Sequence, residues 1–402
     1  MNAAWQNLRS LQALWLPMLL ALPVLGLVSG PLYAPLVFGP GCALALAAAL
    51  RTGRFPAVDR PLAALALAFA TLSWVGTVWS IVPAHTAAAA GQITLILTAA
   101  LAVLALPPPE AAVCRAVLRP LPWAIALGVG VLCLDRAAHH NWDSWFHADI
   151  TKYSRGLDYL VLLAWPLLAH AVAERDQRRA LALGLLMAVA VSVGVSTTGN
   201  LALVAGAGVL ILAALLPAAA PAALFGLLAA LVATLPFILR AFAGYREALA
   251  PYLKSSGFHR LEIWDYMSAR ILEQPLLGWG LLSAKSVPIR PEELAAYHYV
   301  DASGIYPHNQ WLELWLETGA AGAALALGFV ALVLWRIRRT LPAGMQPFAY
   351  AACGSALTIS WLNFEITTDS WWAALTASAL LFKLVSVPLP PRSGAACGSP
   401  AS

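Results

Sequence analysis

The stretch LALVAGAGVLILAALLP, from Leu201 to Pro217, decides the fold class of this chain. It contains no charged residue, and apolar runs approaching the roughly 20 residues that a membrane-spanning helix needs recur on both sides of it. The chain lacks the regular alternation over segments of about 10 residues that a membrane β-barrel requires. The stretch therefore predicts an all-α protein that crosses a membrane many times.

The composition of the whole chain agrees with that prediction. Of its 402 residues, 61% are hydrophobic and 11% are charged, whereas a soluble domain is about half apolar and about a quarter charged. The formal net charge is +5, but the arginines lie in short clusters between apolar runs, which is typical of membrane topology and not of a nucleic-acid-binding surface. The five cysteines show no metal-type spacing, and we expect no structural disulfide.

Outward from Leu201, the apolar runs give about twelve candidate membrane spans. They are residues 11–29, 32–50, 61–82, 91–106, 119–134, 157–173, 180–197, 200–217, 221–240, 311–335, 346–362 and 371–388. Eleven is the alternative count, because prolines interrupt the region from 180 to 240. We expect the first run not to be cleaved as a signal segment and to form the first membrane helix. We predict a transmembrane domain over residues 1–388 and a disordered cytoplasmic tail over residues 389–402, which are rich in proline, glycine, serine and alanine.

Short arginine-containing loops predict the orientation of these spans. The arginines lie in four loops that fall on one side if twelve spans are present: Arg51, Arg54 and Arg60; Arg115 and Arg119; Arg175, Arg178 and Arg179; Arg336, Arg338 and Arg339. The positive-inside rule makes this the cytoplasmic side. Two loops, at about residues 135–156 and 241–310, are then expected on the periplasmic side, and candidate chemistry is to be sought there.

The most informative polar motif is YPHNQWLELWLETGAAG, from Tyr306 to Gly322, where a polar loop enters an apolar helix. His308 and Asn309 stand at the helix start, where free amide groups favour an anion and a histidine can exchange a proton near neutral pH. The alternative is a histidine bonded to a backbone carbonyl at the membrane interface. Glu313 and Glu317 follow at helical spacing, and structural pairing is favoured for both over direct chemistry.

This motif resembles the H-[NSQ]-x9-G-x2-[GTY] pattern of the bacterial O-antigen ligase family. His308, Asn309, Gly319 and Gly322 occupy its four defined positions, with no departure. The remaining resemblance is one of architecture, over about residues 1–390. It implies a membrane-embedded glycosyltransferase of the C superfamily.

A second motif, HRLEIWDYMSARILEQPLLGWG, runs from His259 to Gly280. Its helical periodicity predicts an amphipathic helix on the outer membrane surface, with Arg260 along the apolar face. Arg260 then either snorkels toward the headgroups or binds a phosphate bidentately. The R-x3-W pattern and the following P-L-L-G-W-G turn also resemble a loop of the wider ligase and polymerase group, which favours phosphate binding. Arg270 lies at the edge of that face and is a weaker candidate.

A third region, HHNWDSWFHADITKYSRGLD, extends from His139 to Asp158. Its histidines and acids match no recognised zinc spacing, and an aromatic-anchored interfacial loop is favoured over a metal site. Lys152 and Arg155 open the next helix as candidate substrate-binding residues. The S-R-G step at Arg155 resembles the arginine-glycine step that the family has at this place.

The resemblance implies a reaction and its partners. The expected donor is O-antigen linked to undecaprenyl pyrophosphate, and the acceptor is the lipid A core oligosaccharide at the periplasmic face of the inner membrane. His308 is expected to act as base, while Arg155 and Arg260 stabilise the leaving pyrophosphate. We expect inverting transfer without a metal or other cofactor. An O-antigen polymerase or a protein O-oligosaccharyltransferase is the alternative, and a lipid-linked glycan transporter is a more remote one.

Overall fold

The computed structural model describes residues 19–139, 153–194, 196–252, 255–288, 290, 297 and 307–387. These residues form α-helices joined by turns and short 3-10 helices, and they contain no strand. The first helices are α1 (Leu22–Val28), α2 (Tyr33–Thr52), α3 (Arg60–Val75), α4 (Pro83–Ala105), α5 (Ala111–Leu118), α6 (Leu121–Ala138), α7 (Tyr153–Ala173) and α8 (Gln177–Val193). They are followed by α9 (Thr197–Leu215), α10 (Ala220–Ala243), α11 (Arg246–Leu249), α12 (Ser255–Glu273), α13 (Gln310–Thr340), α14 (Gln346–Leu362) and α15 (Asp369–Val385). The all-α prediction is confirmed. The predicted tail at 389–402 lies outside the described residues.

Eight helical segments in the described part of the chain are long and apolar enough to cross a membrane. They are Gly30–Thr52, Arg60–Val78, Pro83–Ala105, Ala111–Ala138, Tyr153–Ala173, Thr197–Leu215, Ala220–Phe242 and Gln310–Thr340. Three further predicted spans coincide with the 17-residue helices α8, α14 and α15. The total of twelve therefore stays a prediction. Large apolar side chains such as Leu67, Leu95 and Val204 are exposed on these helices, as expected of a surface that faces lipid.

Several helices start where a polar side chain caps their free amide groups. Asp59 accepts a hydrogen bond from Leu62 N at 3.2 Å, and Ser196 accepts one from Gly199 N at 2.9 Å. Such caps satisfy amides that no carbonyl inside the helix can reach. At these two positions the start of the helix thus follows from a polar residue between apolar runs.

Helix α7 lies at the centre of the bundle. Nearly all of its residues are buried, and it packs against α1, α8, α9, α14 and α15. Its first turn carries Arg155, which is exposed. The most buried helix therefore presents one of the predicted phosphate-binding residues at its beginning.

Helix α12 packs against α10 and α13 instead of lying only on a membrane surface. Its helical structure was predicted, but two of its acidic residues, Glu262 and Asp265, are buried. Asp265 accepts a hydrogen bond from Arg240 at 2.5 Å and one from the Tyr297 hydroxyl at 2.9 Å. These two acidic residues are thus buried within the protein, and Asp265 is bonded to Arg240 and Tyr297, which the periodicity alone could not reveal.

Candidate functional site

The candidate site lies where α7 and α13 begin and where α12 packs against α13. At the start of α13, the Asn309 side chain accepts hydrogen bonds from Trp311 N at 3.1 Å and Leu312 N at 3.0 Å. The preceding residue, His308, has a φ of 49°, in the left-handed region that non-glycine residues seldom adopt. The cap and this backbone turn together set the position of the imidazole.

The amide nitrogen of Asn309, Nδ2, differs from the oxygen that caps the helix. Its side chain is 1% exposed, and Nδ2 has no hydrogen-bond acceptor within the described residues. A buried amide hydrogen without a partner costs free energy. Asn309 is therefore placed to cap the helix through its oxygen and to offer Nδ2 to a ligand, and its role as a substrate-binding residue stays a prediction.

Helix α12 is joined directly to the residue before His308. The Trp264 indole Nε1 donates a hydrogen bond to Pro307 O, with a nitrogen–oxygen distance of 2.6 Å. Arg260 lies about one helical turn before Trp264, on the same side of α12. The R-x3-W pattern is thereby explained, because the tryptophan holds the histidine loop and the arginine is presented one turn away.

Electrostatics show which charged groups surround His308. Burial is the largest cause that lowers the pKa of the His308 imidazole from 6.5 to about 4. Arg260, His259 and Arg155 lower it further, in that order of effect. Because such influence falls off with distance, Arg260 of α12 and Arg155 of α7 both lie near enough to His308 to lower the pKa of its imidazole. At neutral pH the ring is uncharged and can accept a proton.

The two motif glycines shape helix α13. Gly319 has φ 63° and ψ −161°, which interrupts the helix, and a Cβ atom there would lie 2.4 Å from the backbone of Leu276. At Gly322, a Cβ atom would lie 1.8 Å from Thr318 Oγ1. Both positions thus need glycine for steric reasons, and Gly319 also needs it for its backbone conformation.

The P-L-L-G-W-G turn, residues 275–280, packs against α13 where Gly319 interrupts the helix. Four backbone hydrogen bonds of 2.9–3.1 Å join the two segments: Ala320 N to Pro275 O, Ala321 N to Leu276 O, Trp279 N to Leu316 O, and Gly280 N to Glu317 O. The amides and carbonyls that the broken helix leaves without intrahelical partners are therefore satisfied by the turn. This places the end of α12 firmly against α13, beside the site.

Glu313 and Glu317 are 2% and 1% exposed. Glu313 Oε2 accepts a hydrogen bond from Ile366 N at 3.3 Å, and Glu317 Oε1 accepts one from Ala284 N at 3.5 Å. Both glutamates thus hold neighbouring loops through backbone amides. This agrees with the predicted preference for a structural role.

The other predicted binding residues differ in their placement. Lys152 lies outside the described residues. Arg270 is 3% exposed, forms an ion pair with Glu273 at 3.1 Å and lies over the Tyr266 ring. It is ten residues, or about 15 Å along the helix, from Arg260. His259 is a site residue that sequence reasoning missed, although its place beside Arg260 in the quoted motif was a usable signal.

The part of the chain that the structure describes holds no group of three His, Cys, Asp or Glu side chains that could bind a metal ion. The acids and histidines of residues 140–152 lie outside that part. The predicted metal independence therefore stays a prediction.

Comparison with known proteins gives matches to a ligase family and to proteins provisionally named as polysaccharide ligases. Residues 182–327 match the model of a family described as O-Antigen ligase. A protein of Rickettsia felis, provisionally named a polysaccharide ligase, is 25% identical over 264 residues, which are 63% of this chain and 64% of that protein. A protein of Rickettsia bellii with the same name is 28% identical over 251 residues, which are 60% and 61% of the two chains. The chain thus matches somewhat less than two thirds of the length of these relatives.

Proposed function

From the premise that residues 182–327 match the O-antigen ligase family model, we propose that this protein transfers O-antigen polysaccharide from undecaprenyl pyrophosphate to the lipid A core oligosaccharide. The transfer takes place at the periplasmic face of the inner membrane. The family match and the provisional ligase names of the relatives support glycan transfer in general. The specific donor, acceptor and location are part of the proposal.

The proposal is carried by the hydrogen bond that joins Trp264, one turn after Arg260, to Pro307 beside His308, together with the effect of Arg260 and Arg155, which both lower the pKa of His308. A sugar linked to pyrophosphate brings a large negative charge, and arginine pairs well with phosphate oxygens. Cations from two helices are therefore suited to hold the donor and to stabilise the charge that grows on the leaving group. An uncharged histidine among them is suited to accept a proton.

The proposed reaction is a direct displacement. The acceptor hydroxyl oxygen forms a bond to the anomeric carbon while the bond from that carbon to the pyrophosphate oxygen breaks. The bonding electron pair leaves with undecaprenyl pyrophosphate, beside Arg155 and Arg260. The hydroxyl proton passes to the His308 imidazole. Because one displacement occurs, the configuration at the anomeric carbon is inverted, and no covalent enzyme intermediate forms.

The O-antigen polymerase and the protein O-oligosaccharyltransferase would use the same donor with another acceptor. The family description and the relatives' names favour a ligase over both. A lipid-linked glycan transporter would have no need for a base at His308. These alternatives make different products, so a direct assay distinguishes them.

The test is reconstitution of the purified protein with lipid-linked O-antigen and rough lipopolysaccharide, in the presence of excess chelator. We expect smooth lipopolysaccharide to form, with inverted configuration at the new linkage. Longer lipid-linked chains, a glycosylated protein or mere movement of the donor across the bilayer would each support one of the alternatives. Product that forms only after magnesium or manganese is added would contradict metal independence.

A further inference from the structure

The two predicted catalytic regions are joined by a short connection that the reaction described above does not use. This connection, residues 363–368, runs from the end of α14 to the start of α15 and is called the strap below. It contacts α7, which carries Arg155, and α13, which follows His308. Both contacts are made through carboxylates buried within the protein.

At one end, the strap is bonded to Asp158 of α7. Asn363 Nδ2 donates to Asp158 Oδ2 at 2.8 Å, and Ser196 Oγ donates to Asp158 Oδ1 at 3.2 Å. Asp158 is fully buried and follows Arg155 by three residues, which places the two about one turn apart on α7. Any displacement of Asp158 would therefore move the first turn of α7 and with it Arg155.

Aromatic packing reinforces the same end. The Phe364 ring is stacked between Tyr159 of α7, at a centroid distance of 5.3 Å, and Trp371 of α15, at 4.9 Å. Stacked pairs of this kind stabilise a contact beyond the area they bury. The strap is thus rigidly attached to the helix that carries Arg155.

At its other end, the strap is bonded to α13. Ile366 N donates to Glu313 Oε2 at 3.3 Å, and Glu313 lies about one turn after the Asn309 cap. The Ile366 carbonyl accepts a hydrogen bond from Trp372 Nε1 at 2.7 Å, and the Thr367 carbonyl accepts one from Gln92 Nε2 at 2.8 Å. Fixed on both sides, the strap spans from the helix of Arg155 to the helix that His308 precedes.

We propose that the strap sets the position of Arg155 relative to His308. Asp158, Asn363 and Glu313 are then positioning residues, which act on the reaction through the two groups they hold. The inference rests on the proposed function, because it assigns these residues to the geometry of the same transfer. A displacement of about 1 Å in such a site can lower the rate by about 100-fold.

Two substitutions break the connection with little change in volume. Asn363→Leu removes the donor to Asp158, and Glu313→Met removes the acceptor for Ile366 N. We expect kcat to fall about 10- to 100-fold for each, with a smaller change in the KM for the donor. Glu365→Gln is the matched control: it lies in the same strap, but its side chain pairs with the exposed Lys285 at 3.7 Å. It is expected to keep the normal rate.

Two conservative variants test whether the connection itself matters. The double variant Asp158→Asn with Asn363→Asp exchanges carboxylate and amide, so that the bond between them can form in the reverse sense. Glu313→Gln keeps an oxygen that accepts from Ile366 N. We expect the exchange to recover most of the rate lost in Asn363→Leu, and Glu313→Gln to be about tenfold faster than Glu313→Met.

A pH profile separates positioning from a general loss of structure. The groups that lower the pKa of His308, besides burial, are Arg260 and His259 from α12 and Arg155 from α7. If Arg155 moves away in Asn363→Leu, the imidazole is easier to protonate, and the acidic limb of kcat/KM moves to higher pH. The folded fraction, measured over the same pH range, distinguishes this shift from acid unfolding of a destabilised protein.

The outcomes distinguish a failure of the strap proposal from a failure of the proposed function. Normal kcat and an unmoved limb in both Asn363→Leu and Glu313→Met would overturn the role of the strap. If Asn363→Leu fails to accumulate in the membrane, equal rates for Glu313→Gln and Glu313→Met overturn it instead. His308→Ala, assayed in parallel, tests the proposed function. If His308→Ala loses transfer while the strap variants keep the normal rate, only the proposed role of the strap is contradicted, and the proposed function is not.

Discussion

The two ends of the helical bundle use their cations in different ways. At the end with the arginine-containing loops, Arg179 donates to the Leu118 carbonyl, Arg338 donates to the Ala218 carbonyl, and Arg336 pairs with Asp59. At the site end, the charges of Arg155, Arg260 and His259 act together on His308. At the first end these arginines thus contact carbonyls and a carboxylate, and at the site end Arg260 and Arg155 both act on a single titratable ring.

This difference indicates where an anion is expected. Like charges that converge in a partly buried region repel one another and disfavour protonation of a nearby histidine. That cost falls when a negatively charged ligand enters. Other arginines at the site end form ion pairs with carboxylates: Arg240 pairs with Asp265, and Arg290 pairs with Glu273. The convergence is therefore specific to the groups around His308.

The largest expected effect follows from removing the ring on which the cations converge. His308→Ala should reduce transfer by about 10² to 10⁴-fold, the usual contribution of a general base, while binding of a lipid-pyrophosphate analogue stays close to normal. Transfer and analogue binding are measured on the same purified preparation. A variant with near-normal transfer, or one that is lost only because it does not accumulate, would return His308 to a structural role at the helix start.

The fold was largely predictable because apolar runs report helices locally. All predicted spans from residue 32 onward coincide with helices in the described residues, and α12 was predicted from its periodicity. The break at Gly319 was not predicted. Its cause is the docking of residues 275–280, and pairing between segments about 40 residues apart leaves no periodic signal.

The site was predictable in part for a related reason. His308, Asn309, Arg155 and Arg260 were proposed through motifs and a family resemblance, which compare short segments one at a time, and their roles stay predictions. Asp158 gave no such signal, because its importance comes from Asn363, which is 205 residues away in the chain. Contacts of this kind become visible only in three dimensions.

The next largest effect concerns the turn that supports the site end. Gly319→Ala places a methyl group about 2.4 Å from the Leu276 backbone and forces alanine into a conformation that is almost restricted to glycine. We expect destabilisation of about 3 kcal/mol, seen as a lower unfolding temperature in detergent. Gly328→Ala is the control on the same helix, since its Cβ would lie 3.5 Å from Leu65 Cδ2. Equal stability of the two variants would contradict the steric role of Gly319.

A smaller effect tests the two ends of the bundle against each other. Arg260→Ala should weaken binding of the lipid-pyrophosphate analogue and lower kcat/KM about 10- to 100-fold, because charge-assisted bonds to phosphate contribute about 1.5–3 kcal/mol. Arg260→Lys should recover only part of the loss, since an ammonium group cannot form the paired contacts of a guanidinium. Arg338→Ala, at the other end, should leave both quantities nearly unchanged. Equal losses at the two ends would contradict a specific anion site.

The smallest expected effect is a shift in pH dependence, and it follows from the lowered pKa of His308. With that pKa at about 4 in the folded protein and about 6.5 when unfolded, the unfolded chain binds the proton first as the pH falls. The contribution of His308 to stability is therefore fully present above pH 6.5 and is lost as the pH falls toward 4.

For transfer, the acidic limb of kcat/KM reports the free enzyme, so in wild type it should lie near pH 4. Arg260→Ala removes one positive charge, which raises the His308 pKa and moves the limb to higher pH. It should stop short of 6.5, because burial remains. The bound pyrophosphate also favours protonation, so in wild type the limb of kcat should lie above that of kcat/KM. Profiles of both quantities between pH 4 and 8 check these shifts. Identical acidic limbs in wild type and Arg260→Ala would mean that Arg260 does not act on His308.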